Sequence, residues 1–333
     1  MIPVFSAEHV LAAVPPERAL EAVRDAFVAY ARGEWTMPPK VYVPAYPAGD
    51  FRAMPALGGG HALLKWVTSY PGNPAAGLPT VMGVVLVSDA SNGVLRAVLD
   101  AGAVTALRTG AAAVLAAETL GRRDAATAAV IGAGVNGQAA ARTFLARGRD
   151  VMLWDVDEQR AAQAAEELGA RVAASEEEAL AADLLVTVTP GREIVLGAGS
   201  LQPGQHASLM GADGPGKAEI AVEELRRVRV FCDDWEQTRT NRTFDPDARV
   251  RVFCDDWEQA SHAGDIRNAV EAGAIGRDDV TELGDVLAGK APGRQTDNDI
   301  TIFDSTGLAI QDLAIALAAM ERANELNLPT IDL

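Results

Sequence analysis

The sequence predicts an α/β fold in two domains, and three observations carry the prediction. A glycine-rich turn lies between a strand-like run and a helix-like run near the middle of the chain. After it, short apolar runs alternate with helical stretches, as repeated strand–helix–strand units require. Before it lies a mainly β region, its apolar runs broken by Gly and Pro, with a helix on either side. A chain of 333 residues is long enough for two domains with cores of their own.

The turn is Gly132-Ala133-Gly134-Val135-Asn136-Gly137. Ala126 to Ile131 ahead of it is small and β-branched, as a buried parallel strand is, and Gln138 to Arg147 after it has helical composition. Each glycine has its own reason in a pyrophosphate site. Gly132 permits the tight turn, Gly134 lets the backbone approach phosphate with no Cβ in the way, and Gly137 lets helix pack closely on strand. The helix N-terminus adds free N–H groups and the positive end of its dipole. A second strand, Asp150 to Trp154, ends in Asp155, where a carboxylate accepts from the ribose 2′-hydroxyl of NAD and repels a 2′-phosphate. This order of elements predicts a Rossmann-type, doubly wound nucleotide domain, with NAD the expected cofactor and NADP the alternative. Gly132, Gly134, Val135, Asn136, Gly137 and Asp155 are the candidate contacts.

Composition narrows the class of function. Hydrophobic residues make up 49% and charged residues 23%, as in an ordinary globular protein. The net charge of −17 argues against nucleic acid or an anionic membrane surface as partner. No apolar run reaches membrane-spanning length, and Met1 to Glu8 lacks the basic and apolar regions of a signal peptide, so the cytoplasm is the expected location. The two cysteines do not suggest a disulfide framework, and His9, His61, His206 and His262 have no metal-ligand spacing, so no metal site is expected.

In chain order, Ser6 to Val10 reads as a short capped helix and Pro16 to Arg32 as a longer amphipathic one. Strand-like runs follow at Val41 to Val43, Phe51 to Met54, Ala62 to Val67, Thr80 to Val87 and Leu95 to Leu99, then a helix from Ala103 to Leu120. Past the glycine turn come a helix from Val156 to Leu168, a strand from Arg171 to Ala173, a helix from Ser175 to Ala181 and a strand from Asp183 to Val188. A buried strand from His206 runs into a glycine-rich turn holding Asp213 and then a helix, and a helix from Thr306 to Leu326 closes the chain.

Three cations in the first region are candidate ligands for an acid. Lys65 sits inside the apolar run Ala62 to Val67, where a lysine is costly unless paired or used. Arg52 and Arg108 carry guanidinium groups suited to bidentate grip of a carboxylate, or else are solvated at element ends. Asp213 falls at the carboxyl end of a strand, where it could serve as a base beside a cofactor or simply cap the following helix.

Taken together, these motifs resemble the ornithine cyclodeaminase/mu-crystallin family, and within it the archaeal-type alanine dehydrogenase branch. The resemblance rests on Lys65 in its strand, Pro71 to Pro74, Gly77 to Met82, Ala106 to Ala112, the glycine turn, Gly211-Ala212-Asp213 with Pro215-Gly216-Lys217 and Glu219, and Ile302 to Asp312. It implies a substrate-binding and dimerisation domain over 1–115, with 305–333 packing back on it, and a dinucleotide domain over 116–304. It also implies an NAD(P)-dependent oxidoreductase acting at the α-carbon of an amino or imino acid, usually as a homodimer. Arg52, Lys65 and Arg108 would then bind the substrate carboxylate, with Asp213 and Lys65 catalytic. Thr109, Thr187, Thr189, Met210 and Ser305 join the candidate cofactor contacts. The alternatives are an ornithine cyclodeaminase, which makes proline and ammonia and recycles NAD within the turnover, and a non-catalytic NAD(P)-binding crystallin.

One feature departs from that family. Arg227 to Gln237 recurs without change as Arg249 to Gln259, a tandem duplication in which both cysteines are one cysteine copied. The two copies would compete for one place in the sheet, so one is expected there and the other in an inserted loop or an extra edge strand.

Overall fold

The computed structural model describes residues 1–191, 193–212, 217–221, 224, 229–232 and 281–333, with 229–232 described by their backbone. The chain divides into two compact units, Met1–Arg108 with Leu308–Leu333, and Thr109–Gly307.

In the first unit, strand β1 (Ile2–Phe5) leads into helix α1 (Ala7–Ala13). Ser6 caps this helix, accepting from the N–H of His9, while the His9 ring accepts from the N–H of Ser6. Helix α2 (Pro16–Ala31) opens on proline, whose missing N–H costs nothing there, and buries Leu20, Val23 and Phe27 along one face. Strands β2 (Val41–Ala45), β3 (Gly49–Gly58), β4 (His61–Ser69), β5 (Val81–Asp89) and β6 (Leu95–Asp100) form an antiparallel meander. β1 adds in parallel to β6, and β15 (Thr330–Ile331) pairs antiparallel with β1 at the edge. Helix α8 (Ala309–Glu321) is almost wholly buried and packs on α2, β3 and β4.

The two units meet in sequence inside helix α3 (Ala101–Leu120), between Arg108 and Thr109. Contrary to the sequence expectation, α3 is long and apolar enough to cross a membrane. Its most apolar window is 78% buried within the protein, as a core helix of this composition is.

The second unit is built on an eight-stranded sheet whose strands all pair in parallel. From β7 (Ala128–Ile131) the chain passes through helix α4 (Val135–Ala146) to β8 (Val151–Trp154), then through α5 (Glu158–Leu168) to β9 (Arg171–Val172). Helix α6 (Glu176–Leu180) returns it to the other side of β7, where β10 (Leu184–Thr187) and β11 (His206–Leu209) follow. The strand order therefore reverses between β7 and β10, the point at which doubly wound sheets bind ligands beyond the carboxyl ends of their strands. β14 (Thr301–Asp304) pairs with β11, and β12 (Arg229–Cys232) lies between β14 and β13 (Thr281–Glu282), with helix α7 (Leu283–Leu287) next in sequence.

β12 comes from the first copy of the duplicated segment, which thus holds the sheet position, while the second copy lies outside the described residues. Residues 217–221 do not form the predicted helix: Ile220 makes an isolated parallel bridge to Leu196. His206 is fully buried with its ring on Thr301 Oγ1 (2.9 Å) and Ser208 Oγ (3.0 Å). Burial, reinforced by the Arg294 charge, lowers its pKa to about 3, so it serves the core as a neutral ring. Arg294 Nε donates to Leu120 O at 2.7 Å, satisfying a carbonyl at the end of α3.

Candidate active site

The first unit gathers Arg52, Lys65 and Arg108 beside two carboxylates. β3 and β4 turn alternate residues inward, and on β4 the inward set is Leu63, Lys65 and Val67. Lys65 is 1% exposed, with Nζ 2.6 Å from Asp312 Oδ2 on α8 and donating to Thr105 Oγ1 on α3 at 3.4 Å. Arg108 Nε stands 3.6 Å from Asp312 Oδ1. Arg52 grips Asp50, two residues earlier on the same face of β3, through Nε to Oδ1 (2.6 Å) and Nη2 to Oδ2 (3.2 Å), and its guanidinium lies over the Tyr42 ring.

Burial is the main force on the Lys65 ammonium and pushes its pKa down; Asp312 pulls it up, and Arg108 and Arg52 push it down again. The outcome is about 8. A lysine so placed is charged at neutral pH and loses its proton just above it. The sequence reading of Lys65 as paired or used is met on the first count, by a residue it had noted only as part of a motif.

In the second unit the glycine turn has the shape a pyrophosphate requires. Gly132 has φ +106°, and a Cβ there would stand 2.4 Å from the carbonyl oxygen of Val188. A Cβ on Gly137 would stand 1.8 Å from Gly132 O, so α4 packs against the turn as closely as backbone allows. A Cβ on Gly134 would meet nothing within 4 Å: its face of the turn is open. Gly134 caps α4, whose first N–H groups lack acceptors within the helix, and Asn136 lies in that first turn. Val135 is largely exposed at the same place. Asp155, buried at the end of β8, accepts from the Ala133 N–H (2.8 Å) through Oδ2 and from the Asp157 N–H (2.9 Å) through Oδ1. Arg160 Nη1 on α5 also stands 3.4 Å from each oxygen, so the carboxylate is held at the strand end where a ribose hydroxyl would meet it. The open cradle, the helix terminus and the strand-end acid fit a dinucleotide.

The remaining predicted contacts fall into two groups. Met210 and Ser305 are buried at the ends of β11 and β14, where the N–H of Ser305 donates to Leu209 O. The Thr109 hydroxyl is buried without a hydrogen-bond partner among the described residues. Thr187 ends β10 and Thr189 lies in the loop after it. Their hydroxyls donate to Glu219, at 2.8 Å and 2.7 Å, and Glu219 also accepts from the N–H groups of Thr189 and Gly211. Glu219 is fully buried, and burial raises its pKa while these four bonds pull it down. The threonines thus anchor the strand-end loops around a buried acid, a role their positions in the sequence did not signal. Asp213 lies outside the described residues.

The doubly wound dinucleotide fold of the second unit defines the class, a nucleotide-binding protein, and the first unit carries its own cluster of cations around Lys65. The chain belongs to the ornithine cyclodeaminase/mu-crystallin family, whose sequence model matches residues 4–247 and 240–327. Each match contains one copy of the duplicated segment. The alanine dehydrogenase of Archaeoglobus fulgidus is 40% identical over 329 residues, spanning 96% of this chain and 94% of that one. Among solved structures, an archaeal alanine dehydrogenase dimer with bound NAD is 40% identical, with a TM-score of 0.84 over 97% of this chain and 96% of that one. The Delta(1)-pyrroline-2-carboxylate reductase of Thermococcus litoralis, in complex with NADH and L-proline, is 26% identical, with a TM-score of 0.86 over 99% and 100% of the two chains.

Proposed function

We propose that the protein is an NAD-dependent oxidoreductase acting at the α-carbon of a small amino or imino acid, by oxidative deamination or by imine reduction in reverse. The observation that carries this reading is the cluster of Arg52, Lys65 and Arg108 around the two carboxylates of Asp50 and Asp312 among the described residues, in a chain that also has a pyrophosphate turn. Among the described residues Lys65 and Arg108 share the one carboxylate of Asp312, an arrangement suited to receiving a substrate carboxylate as well. Asp50 and Asp312 are both ion-paired, which favours a substrate without a second ammonium group.

Arg52, Lys65 and Arg108 hold the carboxylate of the substrate. Asp213 takes the proton of the substrate ammonium, because only the free amine can form the C=N bond as the α-carbon is oxidised. When bound, NAD accepts or returns the hydride of that carbon. The glycine turn and Asp155 bind the cofactor, and the Asp155 carboxylate, which accepts from a ribose 2′-hydroxyl and repels a 2′-phosphate, favours NAD over NADP.

The test is absorbance of reduced nicotinamide with NADH, ammonium or methylamine, and a panel of keto acids including pyruvate, beside L-ornithine with NAD and a proline readout. NADH consumption that depends on keto acid and is lost in Asp213→Ala is the expected result. Proline and ammonia without net NADH would establish a cyclodeaminase instead, and bound NAD with no turnover on either arm a binding protein.

The protein acts as a homodimer, paired through the first unit. The outward face of its sheet carries Val41, Val43, Trp66, Met82 and Val84, all exposed, and Phe51 stacks on Trp66 with ring centroids 5.6 Å apart. A second copy, as in the archaeal alanine dehydrogenase dimer, is the cover such an apolar face calls for. In sedimentation velocity the wild type should run as a dimer and Trp66→Glu as a monomer with unchanged far-UV circular dichroism.

A further inference from the structure

Asp312 was not among the residues that the sequence marked as functional, yet it sits at the centre of the cation cluster. It lies in the first turns of α8, completely buried, where a helix N-terminus favours a carboxylate. Asp312 faces Lys65 from β4 and Arg108 from α3, and Arg52 acts on the same lysine from β3, so the acid is surrounded by three elements that carry positive charge. An ammonium has three N–H donors on a flexible stem. The Asp312 carboxylate pairs with this ammonium at 2.6 Å from α8 and Thr105 accepts one N–H from α3, so the lysine head is held between two elements.

We propose that Asp312 is a positioning residue of the reaction: its ion pair holds Lys65 Nζ at one point and keeps it protonated, so that the ammonium is presented to the substrate carboxylate. The inference rests on the reading of Lys65 as a carboxylate ligand. It adds that this ligand works through an aspartate on a helix near the other end of the chain. Arg108 shares the same carboxylate at longer range, so Asp312 also sets the spacing of the two cations.

The full chain has only four lysines, Lys40, Lys65, Lys217 and Lys290, so lysine labelled with 13C at Cε gives a spectrum that can be assigned by substitution. The Lys65 signal is the one missing from Lys65→Arg. In Asp312→Asn the Lys65 titration should move about one to three pH units to the acid side, the usual effect of an opposite charge at contact distance. The KM for the keto acid should rise about tenfold or more, with kcat changed less. An unmoved Lys65 titration in folded Asp312→Asn overturns the inference and leaves the carboxylate reading of Lys65 intact. A moved titration with unchanged KM overturns the carboxylate reading, and with it the positioning role. Asp312→Glu keeps the charge but shifts the ammonium. It should leave the titration near that of the wild type while raising KM, and an unchanged KM in that variant also overturns the proposal.

Discussion

Gly137→Ala should destabilise the second unit and abolish tight NAD binding together. The added methyl would stand 1.8 Å from the carbonyl oxygen of Gly132, and that atom is backbone in a turn held at φ +106°, so neither side can yield by rotating a side chain. Helix α4 must move away from β7, and its N–H groups move with it. Overpacking of this kind costs about 1–3 kcal/mol, or about 2–12 °C in Tm for a unit of this size. A displacement of about 1 Å at a binding site can cost about a hundredfold. Gly134→Ala separates the two effects. Its Cβ meets nothing within 4 Å and its φ of −72° suits alanine, so Tm should stay within about 1 °C of wild type. NAD affinity should still fall at least tenfold, because the methyl occupies the open face of the turn. Calorimetry on the two variants, with and without NAD, checks both expectations. Equal NAD affinity in Gly134→Ala and wild type would place the pyrophosphate elsewhere.

Lys65→Met should reduce kcat/KM for a keto acid by about 30- to 5,000-fold, mostly through KM. Loss of a buried charge partner costs about 2–5 kcal/mol, and each 1.36 kcal/mol is tenfold. The pH profile of the wild type should report the same group. With a native pKa of about 8, Lys65 is charged below that pH and neutral above it, so kcat/KM should fall as pH rises through about 8. Lys65→Arg should remove that limb, since a guanidinium does not titrate in this range. Stability has the opposite sense. A free lysine titrates near 10.5 and native Lys65 at about 8, so between these the unfolded chain binds a proton that the native protein does not. Its contribution to stability therefore rises with pH across that window. A wild-type profile flat from pH 7 to 10 would remove Lys65 from carboxylate binding.

Most of the fold was legible because its signals are local. The G-x-G-x-x-G spacing, the small β-branched run before it and the acid at the end of β8 all lie within one strand–helix–strand unit, and the structure builds them as read. Lys65 was legible too, since a lysine among Ala, Leu, Trp and Val contradicts its surroundings and calls for a partner. β1 and β15 were missed: each is short, Pro3 interrupts the pattern of the first, and their pairing joins the two ends of the chain. The duplication was plain in the sequence, but identical copies have identical propensities, so only the sheet could distinguish them, and it takes the first.

The sequence by itself determined the doubly wound nucleotide unit, the glycine turn and the presence of a costly buried lysine, because spacing and periodicity are properties of neighbouring residues. The tertiary structure alone decided what those groups touch. It set Asp312 against Lys65, Asp50 against Arg52, and Glu219 beneath Thr187 and Thr189. A buried charge must find its counter-charge within a few ångströms, and packing chooses that partner from anywhere in the chain.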